Sequence, residues 1–156
     1  MTRLLCDVLT SLSGKTLVTA ESCTGGGIGT ALTSVPGSSR VYKGGVICYT
    51  NWVKEHILGV DPYLLSTYGA VSGPVAGSMA SGVRSLLQAD VAVSVTGLAG
   101  PDGDEFGNEV GTVYIGCKTQ SRSVVNRYSF SGDRESIRQQ AIQAALELIL
   151  DCVKEN

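Results

Sequence analysis

The sequence TLVTAESCTGGGIG, residues 16–29, decides how this chain folds. It begins with an apolar run rich in β-formers, continues into a turn of hydroxyl-bearing and glycine residues, and then takes up helical spacing from Ile28 to Val35. A strand, a tight turn and a helix in succession gather free backbone N–H groups at the helix N-terminus, where an anion or oxyanion can bind. Ser22 lies at the bend, where it either caps the helix or acts as a nucleophile directed into the mouth of the sheet.

Strand and helix patterns alternate along the rest of the chain and predict a three-layer α/β/α sandwich. The predicted helices cover about residues 2–13, 28–35, 51–58 with Asn51 as N-cap, and 73–86, with a short turn or helix at Pro62 and a last helix from Asp133. The predicted strands cover about residues 16–20, 45–49, 91–95, 111–117 and 124–130. The last two strands have no helix between them, so they predict an antiparallel hairpin within a mixed, mostly parallel sheet.

Length and composition predict one cytoplasmic domain over residues 1–156. The net charge of −2 and the pI near 5.3 argue against a nucleic-acid partner, and no stretch approaches the ~20 apolar residues of a membrane span. The N-terminal residues do not resemble a signal peptide, because an acid already stands at Asp7. The five cysteines are therefore expected to be reduced and mostly buried.

Several cofactor motifs are absent from the sequence. It contains no G-x-x-x-x-G-K-[ST] phosphate loop, and Leu32 occupies the place where a dinucleotide fingerprint needs glycine. The acidic run 102–107 resembles the start of a calcium-binding loop, but Phe106 and Val113 occupy positions at which such a loop needs oxygen ligands. A single histidine without clustered cysteines argues against a zinc site. We therefore expect no metal and no organic cofactor.

Four loops that follow predicted strands contain the chemically active residue types. If their strands are parallel neighbours, the loops converge at the carboxyl edge of the sheet, where open α/β sheets bind ligands. A strand that runs antiparallel would place the loop that follows it at the opposite edge of the sheet. The loops cover residues 21–26, 49–54, 96–103 and 129–134.

The single histidine narrows the choice of a base that could activate Ser22. His56 falls within a predicted helix, where a surface or packing role is favoured. The other suitable base is a lysine kept neutral by burial. Lys43 precedes the second strand and Lys54 follows it, so Lys54 is better placed, although a solvated surface lysine is equally consistent with the spacing. Burial behind Trp52 and the helix N-terminus is expected to lower the pKa of Lys54.

The remaining candidates each have a functional and a structural interpretation. Tyr49 relays a proton or binds a substrate oxygen, or it is half-buried packing. Cys23 is a thiolate stabilised at a helix N-terminus or, as we favour, a packed thiol. Thr96 and Gly97 offer a hydroxyl and backbone N–H groups to an anion or belong to a simple turn. Arg134 binds a phosphate or forms a surface pair.

Six blocks of sequence, in order, resemble the CinA C-terminal domain family, which includes bacterial nicotinamide-nucleotide amidases. The blocks are TAESCTGG (19–26), PGSS (36–39), GVICYTN (45–51) with Lys54, YGAVS (68–72), SVTGLAGPDG (94–103) and VGTV (110–113). The resemblance covers nearly the whole chain. It implies an α/β/α domain, often a homodimer, that deamidates nicotinamide mononucleotide to nicotinate mononucleotide and ammonia in pyridine-nucleotide recycling.

The resemblance also implies roles for individual residues. The family's serine falls on Ser22 and its lysine on Lys54, and we add Tyr49 as a third catalytic candidate. The predicted substrate-binding positions are Cys23, Thr24, Gly25, Gly26, Asn51, Thr96, Gly97 and Arg134. The chain departs from the family pattern at Trp52-Val53, at Gly73-Pro74 and in the loop 104–109, which bears on substrate preference rather than on fold. The alternative function is a non-catalytic nucleotide-binding or regulatory module in which Ser22 only caps the helix and contacts phosphate.

Overall fold

A computed structural model describes residues 1–154 of the chain. Its α-helices are α1 (Thr2–Ser11), α2 (Gly27–Thr33), α3 (Asn51–His56), α4 (Pro62–Tyr68), α5 (Gly73–Leu86) and α6 (Arg134–Lys154). Its strands are β1 (Leu17–Glu21), β2 (Tyr42–Ile47), β3 (Val91–Gly97), β4 (Thr112–Lys118) and β5 (Ser123–Ser129). A short 3-10 helix, Ser38–Arg40, precedes β2. Each predicted element is present, and the predicted α/β class is confirmed.

The five strands form one sheet in the order β2-β1-β3-β4-β5. Strand β1 pairs in parallel with β2 and β3, whereas β4 pairs antiparallel with both β3 and β5. Strand β4 is therefore the only reversed strand, and the other four end at the same edge of the sheet. This confirms the mixed, mostly parallel sheet and the antiparallel hairpin at its end.

Helices cover both faces of the sheet, because the central strands are apolar on both sides. In β3, Val91, Val93 and Val95 point into one core, which also contains apolar side chains of α1, α2 and α6. The intervening Ala92 belongs to the second core, which is formed mainly with α5 and α4. The alternation follows from the two-residue period of a strand. None of the helices in residues 1–154 has the length and apolar character that a bilayer-spanning segment needs.

Two local predictions differ from the structure. Strand β2 begins at Tyr42, three residues before the predicted start. Its first half was not predicted because glycines there interrupt the pattern of a strand. A Cβ at Gly45 would clash with the Thr19 hydroxyl on β1, so the close approach of the two strands requires glycine there. The prediction that Asn51 is the N-cap of α3 was wrong. The N-cap is Thr50, because its hydroxyl accepts the backbone N–H of Val53.

Candidate active site

The loops that follow β1, β2, β3 and β5 meet at one edge of the sheet, as the sequence predicts. The reversed strand β4 removes none of them, because none of the four loops follows it. Between them lies a cavity of about 290 Å³. The predicted site residues that line it are Ser22, Cys23, Tyr49, Asn51, Lys54, Thr96, Gly97 and Arg134.

Ser22 and Lys54 form a buried hydrogen-bonded pair at the base of this cavity. Lys54 Nζ lies 3.0 Å from Ser22 Oγ and donates to the backbone oxygen of Cys48 at 2.8 Å. Lys54 is 1% exposed and Ser22 is 7% exposed. Helix α3 carries the lysine inward, and the end of β1 presents the serine to it. The distance is within reach for proton transfer between a nucleophile and its base.

Burial lowers the pKa of Lys54 below its ordinary value of 10.5, because an ammonium ion loses its hydration there. The neighbouring thiols of Cys48 and Cys23 act weakly in the opposite direction. The source of the burial differs from our expectation. Trp52 is 61% exposed and stacks on His56 with ring centroids 4.4 Å apart, so it does not cover the lysine.

The other two candidate bases lie away from Ser22. His56 is exposed, and its Nδ1 is 2.9 Å from the backbone oxygen of Trp52. Lys43 is exposed at the opposite end of β2, with its Nζ 3.4 Å from the backbone oxygen of Gln88. Only Lys54 among these three side chains is within hydrogen-bond distance of the serine hydroxyl.

The turn after β1 offers two free amide groups beside the serine. Ser22 N–H donates to Val95 O at 3.0 Å, and Gly25 N–H donates to Ser22 O at 3.1 Å. No oxygen atom of residues 1–154 accepts the N–H groups of Cys23 and Thr24. Of the two residues, Cys23 lines the cavity, and its N–H next to the nucleophile is a suitable oxyanion donor.

Ser22 does not cap α2. The N-cap residue is Gly26, in the left-handed conformation with φ of 97°, and the first amides of the helix are accepted by Glu21 instead. Glu21 Oε1 accepts Ile28 N–H at 2.7 Å and Oε2 accepts Gly29 N–H at 3.0 Å. Our sequence reasoning missed Glu21, although an acid that ends a buried apolar strand was a visible signal.

Three predicted substrate-binding residues, Thr24, Gly25 and Gly26, lie outside the cavity lining. The hydroxyl of Thr24 is buried and donates to Glu21 Oε1 at 2.8 Å. Arg138 of α6, which our sequence reasoning also missed, holds the outer side of this turn. Its Nε donates to the backbone oxygen of Cys23, and its Nη2 donates to that of Thr24, each at 3.1 Å.

Cys23 and its neighbour Cys48 are packed thiols. Burial raises the pKa of each to about 11, so both remain protonated at neutral pH. The burial of Cys23 supports the favoured interpretation of a packed thiol and not the alternative of a stabilised thiolate. Of the five cysteines, Cys6 is exposed and the other four are buried.

Arg134 joins two of the loops at the mouth of the cavity. Its Nη1 donates to Gly100 O at 2.6 Å, and its Nη2 donates to the Tyr49 hydroxyl at 3.0 Å. It makes no ion pair within residues 1–154, so its charge is available to an anion. The Tyr49 ring is 58% exposed beside it. Deeper in the cavity, the Thr96 hydroxyl is already donated to Ala70 O at 2.8 Å.

Metal ligands do not cluster in the part of the chain that the structure describes, since no three His, Cys, Asp or Glu side chains there could hold one ion.

Comparison with known proteins identifies relatives over almost the entire chain. Residues 3–153 match the family model of the CinA C-terminal domain. The chain is 44% identical over 138 residues to a CinA-like protein of Acidobacterium capsulatum, and 47% identical over 138 residues to one of Thermosynechococcus vestitus. These matches cover 88% and 86% of this chain but 33% of each relative. The chain thus spans about a third of the length of the curated relatives it matches.

Solved structures match at full length. A CinA superfamily protein from Klebsiella pneumoniae superimposes with a TM-score of 0.95 at 31% identity, covering 99% of this chain and 98% of that one. A competence/damage inducible protein from Agrobacterium tumefaciens gives a TM-score of 0.92 at 37% identity, covering 97% and 94% of the two chains.

Proposed function

This chain belongs to the CinA C-terminal domain family, and we propose that it is an amidohydrolase with Ser22 as nucleophile and Lys54 as base. The proposed reaction converts nicotinamide mononucleotide and water into nicotinate mononucleotide and ammonia, a step of pyridine-nucleotide recycling. The observation that carries the proposal is the 3.0 Å contact between Lys54 Nζ and Ser22 Oγ at the base of a cavity. A buried lysine in hydrogen-bond contact with a serine hydroxyl is the arrangement of a base and the nucleophile that it activates, which supports catalysis over a purely regulatory role.

In this mechanism neutral Lys54 takes the proton of Ser22 as its Oγ attacks the carboxamide carbon. The N–H group of Cys23, which lines the cavity, receives the oxygen of the tetrahedral intermediate. Lys54 then gives its proton to the departing nitrogen, and ammonia leaves an ester on Ser22. Water, deprotonated by Lys54, cleaves the ester and restores the serine hydroxyl.

The remaining cavity residues suit the nucleotide part of the substrate. Arg134 offers a cation at the mouth, the natural partner of a phosphate. Tyr49 and Asn51 line the same cavity and can donate to substrate oxygens. The volume of about 290 Å³ is at the lower end of small-molecule sites, which favours a mononucleotide over a dinucleotide. The homodimer stays a prediction from the family resemblance.

The experiment is an amidase assay with the purified protein. Nicotinamide mononucleotide is supplied, ammonia is quantified enzymatically, and nicotinate mononucleotide is separated by chromatography. We expect the two products in equal amounts, with much lower rates on free nicotinamide because it lacks the phosphate. Absence of ammonia from the mononucleotide and from a panel of other amides would favour the non-catalytic module.

A further inference from the structure

A buried carboxylate lies directly beneath the turn that carries the proposed nucleophile. Glu21, the residue before Ser22, is 2% exposed. Its two oxygens accept four hydrogen bonds of 2.7–3.2 Å, two from backbone amides of α2 and two from threonine hydroxyls. The four donors are Ile28 N–H, Gly29 N–H, Thr24 Oγ and Thr19 Oγ.

These bonds join the end of β1 to the start of α2 on either side of the turn. Because the N-cap position is Gly26, it has no side chain with which to cap the helix. Glu21 performs that task from the strand, by satisfying the second and third amides of α2. Its bond from Thr24 also ties the middle of the turn to the same carboxylate. The turn 22–26 is therefore held at its beginning, middle and end by one side chain.

The surroundings of Glu21 are shaped to accommodate this arrangement. Thr19 Oγ extends the network to the Tyr42 hydroxyl at 2.8 Å. A Cβ at Gly29 would lie 2.8 Å from that hydroxyl, and one at Gly45 would clash with the Thr19 hydroxyl. Both neighbouring positions are glycine, so the polar network fits without displacing any of its members.

We propose that Glu21 is a positioning residue, which fixes the Ser22 turn so that the serine hydroxyl and the Cys23 N–H group face the substrate together. This inference rests on the proposed amidase function. It also implies that the N-terminus of α2 does not receive the substrate phosphate, because a protein carboxylate already occupies it. The phosphate is left to Arg134 at the cavity mouth.

The test is Glu21→Gln, assayed for hydrolysis of nicotinamide mononucleotide. Glutamine retains the shape of glutamate, but its NH₂ group is itself a donor and cannot accept the two hydrogen bonds that the carboxylate oxygen in its place accepts. We expect kcat to fall about 10- to 100-fold, since displacements near 1 Å at reacting groups have effects of this size. KM should stay within about twofold, and the pH at which kcat/KM is half-maximal should not move, because Lys54 is untouched.

Thr24→Val and Thr19→Val are the matched pair for this test. Each removes one hydroxyl bonded to Glu21 and keeps the β-branched shape, but only Thr24 lies in the Ser22 turn. Thr24→Val should lower kcat several-fold, and Thr19→Val should leave it near wild type. If Glu21→Gln does not fold, this pair decides the question, and equal kcat values for the two would overturn the proposal.

Failure of this inference is distinguishable from failure of the proposed function. A wild-type protein that releases no ammonia would refute the amidase itself. An active wild type with a folded Glu21→Gln variant of unchanged kcat, or one in which only KM rises, would refute the positioning role alone.

Discussion

Replacement of Lys54 by methionine separates catalysis from folding at this site. Methionine follows the lysine side chain as far as Cε, so it fills most of the same buried space without a proton-accepting atom. The change removes the contact to Ser22 Oγ and the hydrogen bond to Cys48 O. The Cys48 oxygen then loses its donor, which costs about 1–3 kcal/mol. Part of this is recovered because no amine remains to be desolvated, so the variant should fold.

The effect on activity should be far larger than the effect on stability. Loss of a general base lowers rates by about 10²–10⁴-fold, which corresponds to about 3–5.5 kcal/mol of transition-state stabilisation. We expect kcat/KM of Lys54→Met to fall within or beyond that range. Lys43→Met is the matched control, because Lys43 is an exposed lysine at the other end of β2, and it should retain wild-type activity.

The pH dependence follows from the lowered pKa of Lys54. The base must be neutral, so kcat/KM should rise with pH through a pKa below 10.5. The stability of the fold should change with pH in the same direction. Between the lowered pKa and 10.5 the unfolded chain binds more protons at this site than the folded chain, so the free energy of unfolding rises with pH across that window. Both dependences should be absent from Lys54→Met.

The assay is ammonia release from nicotinamide mononucleotide over a pH series, with thermal unfolding of each variant at the same pH values. The reasoning would be refuted by a folded Lys54→Met protein whose kcat/KM and pH profile match wild type.

Two further predictions concern the cavity mouth and the thiols. Arg134→Ala should raise KM with little change in kcat, because a contact to the phosphate stabilises the bound substrate and the transition state equally. The check is steady-state kinetics, and an unchanged KM would place the phosphate elsewhere. Brief iodoacetamide treatment of the native protein at pH 7.5 should alkylate the exposed Cys6 and spare the buried Cys23, because the pKa of Cys23 is raised to about 11. Peptide mapping measures the labelling, and equal labelling of the two cysteines would contradict this prediction.

The sheet and the serine–lysine pair were predictable from the sequence because each follows from local rules. Apolar runs fixed the strands, and the requirement for a base other than the poorly placed His56 led to Lys54. Convergence of the four loops depended on strand direction, which the sequence left open. It holds because β4 is the only reversed strand.

The details that the sequence did not provide depend on contacts between separate elements of the fold. Glu21 caps a helix that begins six residues later, and Arg138 reaches the Ser22 turn from α6. Neither role has a spacing rule that would have revealed it. The expected burial of Lys54 behind Trp52 failed for a local reason, because the indole stacks on His56 four residues further along α3.

The central claim is that Ser22 forms the covalent intermediate, and the most direct test is Ser22→Ala in the nicotinamide mononucleotide assay. Circular dichroism and thermal unfolding should show a folded protein, since Ser22 does not cap α2. The account predicts that kcat falls by about 10³-fold or more, leaving only what binding and the amide donors contribute. A folded Ser22→Ala protein that releases ammonia at close to the wild-type rate would contradict it.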